Sequence, residues 1–199
     1  MEKNMQYYVK ISNEVMLKNV HRRKALTKDL VEKYLSSGKY NICIVASGSS
    51  LNAALTAEMF MNKYLGAKVT IISPTEYMYY RKALVKDDFI IVISQSGCST
   101  NIIEAVLDMK QDGIVPMALT GDMEGSLKRY VDTLIEYGVG NETVEYVTLG
   151  MITLVEYLIL FALEVSLSRK VISEGEYKKI VEDMILCCGA NKEAYDKSV

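Results

Sequence analysis

The sequence predicts an α/β fold, a three-layer α/β/α sandwich around a five-stranded parallel sheet in the flavodoxin-like order 2-1-3-4-5. Three observations predict it. Asn41–Ala46, Lys68–Ile72, Phe89–Ile93, Ile114–Leu119 and Val131–Ile135 are short runs dominated by apolar, often β-branched residues. Strands that are apolar on both faces belong to a sheet covered on both sides. Helical patterns separate these runs, and such alternation means parallel strands with crossover helices. Half of the 199 residues are hydrophobic and 24% are charged, enough to fill the core of one ordinary domain.

In chain order, Met5 to Leu35 reads as a helix, with Val9, Val15, Met16, Val20 and Leu26 at helical spacing before Ser36-Ser37-Gly38. The first strand runs into Ser47-Gly48-Ser49-Ser50, and Leu51 to Tyr64 is the next helix. After the second strand, Ser73-Pro74-Thr75 breaks the chain, with Pro74 suited to a helix start. The third strand ends in Ser94-Gln95-Ser96-Gly97, followed by a helix over Asn101 to Lys110. Val144 to Leu167 is a long apolar helix, and Glu174 to Tyr195 a final amphipathic one. The expected division of the single domain 1–199 is a helical segment 1–38, a core 39–170 and a C-terminal helix 171–199.

A net charge of −2 with no basic stripe gives no reason to expect a nucleic acid partner. Cys43, Cys98, Cys187 and Cys188 show neither a disulfide framework nor metal-ligand spacing. They read as reduced thiols, and the expected location is cytoplasmic. Met1 to Lys10 is polar and lacks the apolar run of a signal peptide. Val144 to Leu167 is long enough to span a bilayer. It carries Glu145, Glu156 and Glu164, and a carboxylate near mid-membrane costs about 2.5–3.5 kcal/mol. No membrane is expected, and the segment reads as a buried helix at a subunit interface; a homodimer or higher homo-oligomer is expected, with a C2 dimer as the default.

In a doubly wound sheet, ligands sit beyond the carboxyl ends of the strands, where the strand order reverses. Strands one and three are neighbours there, so Ser47-Gly48-Ser49-Ser50 and Ser94-Gln95-Ser96-Gly97 converge, each opening a helix. A helix start offers free N–H groups and the positive end of a dipole, and hydroxyls add donors. The pair describes an anion site, best suited to a phosphate monoester. Its candidate donors are Ser49, Ser50, Ser94, Ser96 and Ser99, with Gln95 reaching sugar hydroxyls. The competing reading is a pair of ordinary helix caps. Neither a dinucleotide fingerprint nor a P-loop is present.

These residues resemble the sugar isomerase (SIS) domain family. Ser47-Gly48-Ser49-Ser50, Ser94-Gln95-Ser96-Gly97 and Ser73-Pro74-Thr75-Glu76-Tyr77-Met78-Tyr79-Tyr80-Arg81 look most like the isomerase half of glucosamine-6-phosphate synthases and the fructosamine-6-phosphate deglycases. The resemblance covers the chain from about Ile11 to the long helix. It implies that Ser50, Ser94, Gln95, Ser96 and Ser99 bind phosphate, with Thr100 one place beyond the usual threonine. Glu142, in Gly140-Asn141-Glu142, matches the glutamate of the family's Gly-Thr-Glu segment. There are departures. Cys98 stands where the family has Glu, and Val147-Thr148-Leu149 replaces a Ser-Thr-Lys motif. The relatives also carry two such domains in tandem. This chain has one, and Glu174 to Tyr195 resembles the link into a second.

Moving a carbonyl between C1 and C2 of a sugar phosphate needs a base to pass a proton through an enediol(amine). Glu142 is the first candidate and Glu76 the second; Glu142 reads equally as a cap of the long helix. His21, among Arg22, Arg23 and Lys24, reads as part of a solvated basic face, with a place in a partner's site as the alternative. Tyr77, Tyr79 and Tyr80 are expected to pack, or to line the crevice or an interface. No metal or organic cofactor is implied. The expected function is phosphosugar isomerase or deglycase chemistry. The competing class is a non-catalytic sugar-phosphate sensor.

Overall fold

A computed structural model of the chain describes residues 3–140, 142–144 and 147–198. Asn141 and Glu145, both singled out from the sequence, lie outside the described residues. The elements are α1 (Met5–His21), α2 (Arg23–Ser36), β1 (Ile42–Ala46), α3 (Gly48–Leu65), β2 (Val69–Ile72), α4 (Pro74–Glu76), a π-turn (Tyr77–Arg81), α5 (Lys82–Val85), β3 (Phe89–Ser94), α6 (Thr100–Gln111), β4 (Met117–Thr120), a 3-10 turn (Ser126–Arg129), β5 (Leu134–Glu136), α7 (Leu149–Ser168) and α8 (Glu174–Ser198).

The sheet runs β2-β1-β3-β4-β5 with every neighbouring pair parallel, as the alternation of strands and helices predicts. The pleat divides each strand between two cores. Ile42, Ile44, Ala46, Ile91 and Ile93 pack with Leu30 and Tyr34 of α2, Ala53 and Ala57 of α3, and Leu158 and Phe161 of α7. Cys43, Val45, Ile90 and Val92 pack on the opposite face with Tyr77, Val85 and the Ile102, Ala105, Val106 and Met109 face of α6. Both faces of β1 and β3 are therefore dry, which explains why their sequences show no polar alternation.

The structure departs from expectation at element ends. The helix read over Met5 to Leu35 is two, broken at Arg22 (φ −95, ψ 10). The break lets α2 lie on the sheet core while α1 runs to α7 and α8. β4 begins at Met117 and not Ile114, because Pro116 has no N–H for the ladder. The N–H of Ile114 is already given to the carbonyl of Met109 at the end of α6, at 2.9 Å.

Helix α7 is long and apolar enough to cross a membrane, with a mean hydropathy of 1.8, but 78% of its most apolar window is buried inside the protein. Its two described carboxylates have protein partners. Glu164 pairs with Arg23 at 3.5 Å and accepts from the hydroxyl of Tyr177. Glu156 Oε2 accepts from the side-chain amide of Asn19 at 3.2 Å.

Candidate functional site

Beyond the carboxyl edge of β1, β3 and β4 lies a cavity of about 440 Å³, lined by Ser47–Ser50, Gln95, Ser96, Ser99, Gly121, Asp122, Glu142, Val144 and Val147. It sits where β1 gives way to β3, the reversal point of the strand order.

The first wall is the turn from β1 into α3. Gly48 takes φ +57, a left-handed conformation that glycine adopts without penalty, and the helix starts at once. Ser47 is the N-cap residue of α3, yet its side chain makes no capping bond. Ser50 is only 6% exposed and lines the cavity. The N–H groups of the first turn of α3 have no helical partner.

The second wall is the turn from β3 into α6. Ser99 is the N-cap residue of α6 and also makes no side-chain cap. Its hydroxyl lies 3.0 Å from that of Ser94, which is 2% exposed and sits behind it. Ser94 Oγ also accepts the N–H of Ser99 at 3.4 Å. Ser94 thus supports the turn from within and Ser99 lines the cavity. Ser96 Oγ accepts the N–H of Cys98 at 3.2 Å. Among the described residues the side chain of Gln95 has no hydrogen-bond partner and lines the cavity. Thr100 is exposed on the first turn of α6 and is not a lining residue.

A third wall was not foreseen from the sequence. The buried Thr120 ends β4 and shares hydrogen bonds with the backbone of Asp122, accepting its N–H and donating to its carbonyl, both at 3.1 Å. Gly121 N–H reaches the carbonyl of Gln95 at 2.9 Å, and Leu127 N–H that of Gly97 at 2.7 Å. The two loops touch glycine to glycine: a Cβ on Gly125 would stand 2.6 Å from Gly97 Cα. This approach presses Asp122 to the cavity rim. The legible signal was Thr120-Gly121-Asp122 at the end of the strand beside β3.

Glu142 lines the cavity, but its carboxylate is occupied. Oε1 accepts the N–H groups of Thr148 and Leu149, both at 2.8 Å, and Oε2 that of Gly150 at 2.9 Å. It caps α7, whose N-cap residue Thr148 makes no side-chain cap of its own. That is the physical reason α7 begins at Leu149 and not at Val144. A Cβ on Gly150 would meet Gln95 Cγ and Glu142 Oε2, each at 3.0 Å, so glycine here lets the two cavity side chains close over the helix start.

The other candidates are elsewhere. Glu76 forms a capping box with Ser73, and the backbone N–H of Ser73 holds its carboxyl below the usual range. His21 is exposed. Tyr77 is fully buried in the core, while Tyr79 and Tyr80 are exposed; none of the three lines the cavity. Among the lining residues there is no lysine, arginine or histidine. The cavity therefore brings together two helix starts, a set of hydroxyls and the acidic residues Asp122 and Glu142.

The SIS domain family model matches residues 34–169. The glutamine–fructose-6-phosphate aminotransferase (isomerizing) of Clostridium tetani is 24% identical over 187 residues, 85% of this chain and 31% of that protein. The C-terminal domain of the glucosamine-fructose-6-phosphate aminotransferase of Francisella tularensis superposes with a TM-score of 0.80 at 22% identity, covering 93% of this chain and 54% of that one. An Escherichia coli protein solved as a ligand complex superposes with a TM-score of 0.69 at 18% identity, covering 87% of this chain and 93% of that one. The chain spans less than a third of the length of the curated relatives it matches. With a family match over most of its length, the chain belongs to the SIS domain family.

Proposed function

We propose that the protein binds a phosphorylated sugar in the cavity between the α3 and α6 turns, and that it serves aldose–ketose isomerisation or amine removal from a fructosamine or amino-sugar phosphate. One observation carries this reading. Ser47 and Ser99 occupy the N-cap positions of both helices, and neither caps its own helix. Ordinary caps would use those hydroxyls. Here the first-turn N–H groups and the hydroxyls are left to face the same space, which is what a dianionic ester requires in the absence of cationic side chains.

The chemistry would place the phosphate at the serine turns and the sugar chain toward Gln95, Asp122 and Glu142. Removing a proton beside the carbonyl requires a carboxylate that can leave its present partners. Glu142 would have to exchange three N–H donors of α7 for that proton. This engagement favours a second reading, a sugar-phosphate sensor with no turnover, and Leu149 in place of the family's lysine points the same way. A second copy of the chain, packed against the half-buried Met151, Ile152, Val155 and Ile159 of α7, would complete a dimer.

Incubation with fructose 6-phosphate, glucosamine 6-phosphate and fructoselysine 6-phosphate, each followed by product analysis and a thermal melt, tests the proposal. Stabilisation with product formation supports the enzyme, and stabilisation alone supports the sensor. No stabilisation by any of the three rejects phosphosugar binding.

A further inference from the structure

Helix α1 lies outside the family match, which begins at residue 34, yet two of its side chains grip the loop that carries Glu142. Tyr8 is 2% exposed. Its hydroxyl accepts the backbone N–H of Thr143 at 2.9 Å and shares a hydrogen bond with the Thr143 hydroxyl at 3.1 Å. About three helical turns further on, Asn19 is 1% exposed. Its Nδ2 donates to the carbonyl of Gly138 at 3.1 Å as well as to Glu156 Oε2 at 3.2 Å. Gly138 has φ +93, and a Cβ there would stand 2.7 Å from Asn19 Nδ2; the loop is pressed flat against that amide.

The rest of the loop is braced from its own strand. Glu136 Oε1 accepts the N–H groups of Gly138 at 2.7 Å and Gly140 at 3.1 Å. Residues 138–140 are thus held by Asn19 and Glu136, and Thr143 by Tyr8. Between those grips the loop presents Glu142 to the cavity and to the first turn of α7. A buried phenol and a buried amide are costly unless bonded. Both reach a loop more than a hundred residues away, and Asn19 Oδ1 also accepts from the Arg22 guanidinium at the end of α1.

We propose that α1 is a clamp that fixes Glu142 at the cavity, with Tyr8 and Asn19 as positioning residues acting through Thr143 and Gly138. The geometry stands without any ligand; its consequence for binding rests on the phosphosugar reading. Loss of the Tyr8 hydroxyl leaves the Thr143 N–H without its acceptor. The loop then opens more often, and Glu142 releases the N–H groups of Thr148, Leu149 and Gly150.

The test is amide hydrogen exchange on the full chain, wild type against Tyr8→Phe, Glu142→Ala and the double variant. The phenylalanine keeps the ring and its edge contact with Tyr7. In Tyr8→Phe the amides of Thr143 and Thr148–Gly150 should exchange about threefold to tenfold faster, with those of β1 and β3 unchanged. In the Glu142→Ala background, where no acceptor is left for these amides, Tyr8→Phe should add nothing at Thr148–Gly150. Unchanged exchange at these amides, or a fully additive effect in the double variant, overturns the clamp.

A parallel titration with fructose 6-phosphate and with inorganic phosphate reads the consequence. Tyr8→Phe should weaken the sugar ester about threefold or more and leave inorganic phosphate unchanged. Equal affinity for the ester in both proteins, with exchange accelerated, overturns the positioning role. A wild type that binds neither ligand removes the phosphosugar reading, and the exchange result alone then decides the clamp.

Discussion

Glu142 Oε1 accepts the backbone N–H of Leu149 at 2.8 Å, and that bond fixes where the core helix α7 begins. The same carboxylate borders the cavity, so one residue serves both the helix and the site.

Glu142→Ala should therefore lower stability by about 1–2 kcal/mol, the usual value of a lost cap with some dipole interaction, measured by denaturant unfolding. Glu142→Gln keeps one acceptor oxygen and should lose less. If Glu142 is also the base, the glutamine variant binds fructose 6-phosphate and does not turn it over. Unimpaired turnover would remove Glu142 from the chemistry and leave it a cap.

The serines divide by position. Ser50→Ala and Ser99→Ala should each weaken fructose 6-phosphate by about tenfold to a hundredfold, the range for hydrogen bonds to a charged group. Thr100→Ala should leave affinity unchanged, since Thr100 is exposed and does not line the cavity. Calorimetric titration of the three variants checks both statements, and a loss at Thr100 equal to that at Ser99 would reassign the donor.

Gly97→Ala should destabilise by about 1–3 kcal/mol. Gly97 sits at φ +63 with Asp122 O and Gly125 Cα each 3.0 Å from the added methyl. Gly113→Ala is the control for backbone strain alone, because its φ of +71 comes with open space. A larger loss at Gly97, seen as the difference between the two unfolding midpoints, isolates the contact between the cavity loops.

Stability should fall as pH rises through a window set by Glu156. Burial pushes its carboxyl up to about 8 from an ordinary 4.5, with the Asn19 amide and the Arg22 charge opposing. Between those two values the folded state holds a proton that the unfolded chain has released, so raising the pH favours unfolding. The slope should amount to a few kcal/mol across the window. Glu156→Gln should flatten it, measured as unfolding free energy at pH 5, 6.5 and 8. A wild-type profile that rises over this range would contradict the assignment.

Much of this was legible in the chain. The apolar runs of β1 and β3 announce a doubly covered sheet because both of their faces are buried, and the two serine turns could be placed side by side from strand order alone. Local pattern could not report three-dimensional partners. The break at Arg22 follows from where α1 and α2 pack, not from a proline or glycine. The late start of α7 follows from a carboxylate seven residues before the helix. Asp122 reaches the cavity only because Gly97 and Gly125 let two loops touch. Tyr8 and Asn19 look like ordinary helix residues until the loop they hold, far along the chain, is folded against them.

The most direct test of the central claim is a ³¹P NMR titration of fructose 6-phosphate with wild type and with Ser50→Ala/Ser99→Ala. If the two helix starts hold the ester, the phosphorus resonance shifts saturably with the wild type, is reversed by excess inorganic phosphate, and barely moves with the double variant. A resonance that does not move with the wild type, or that moves equally with both proteins, contradicts a phosphate site at the α3 and α6 turns.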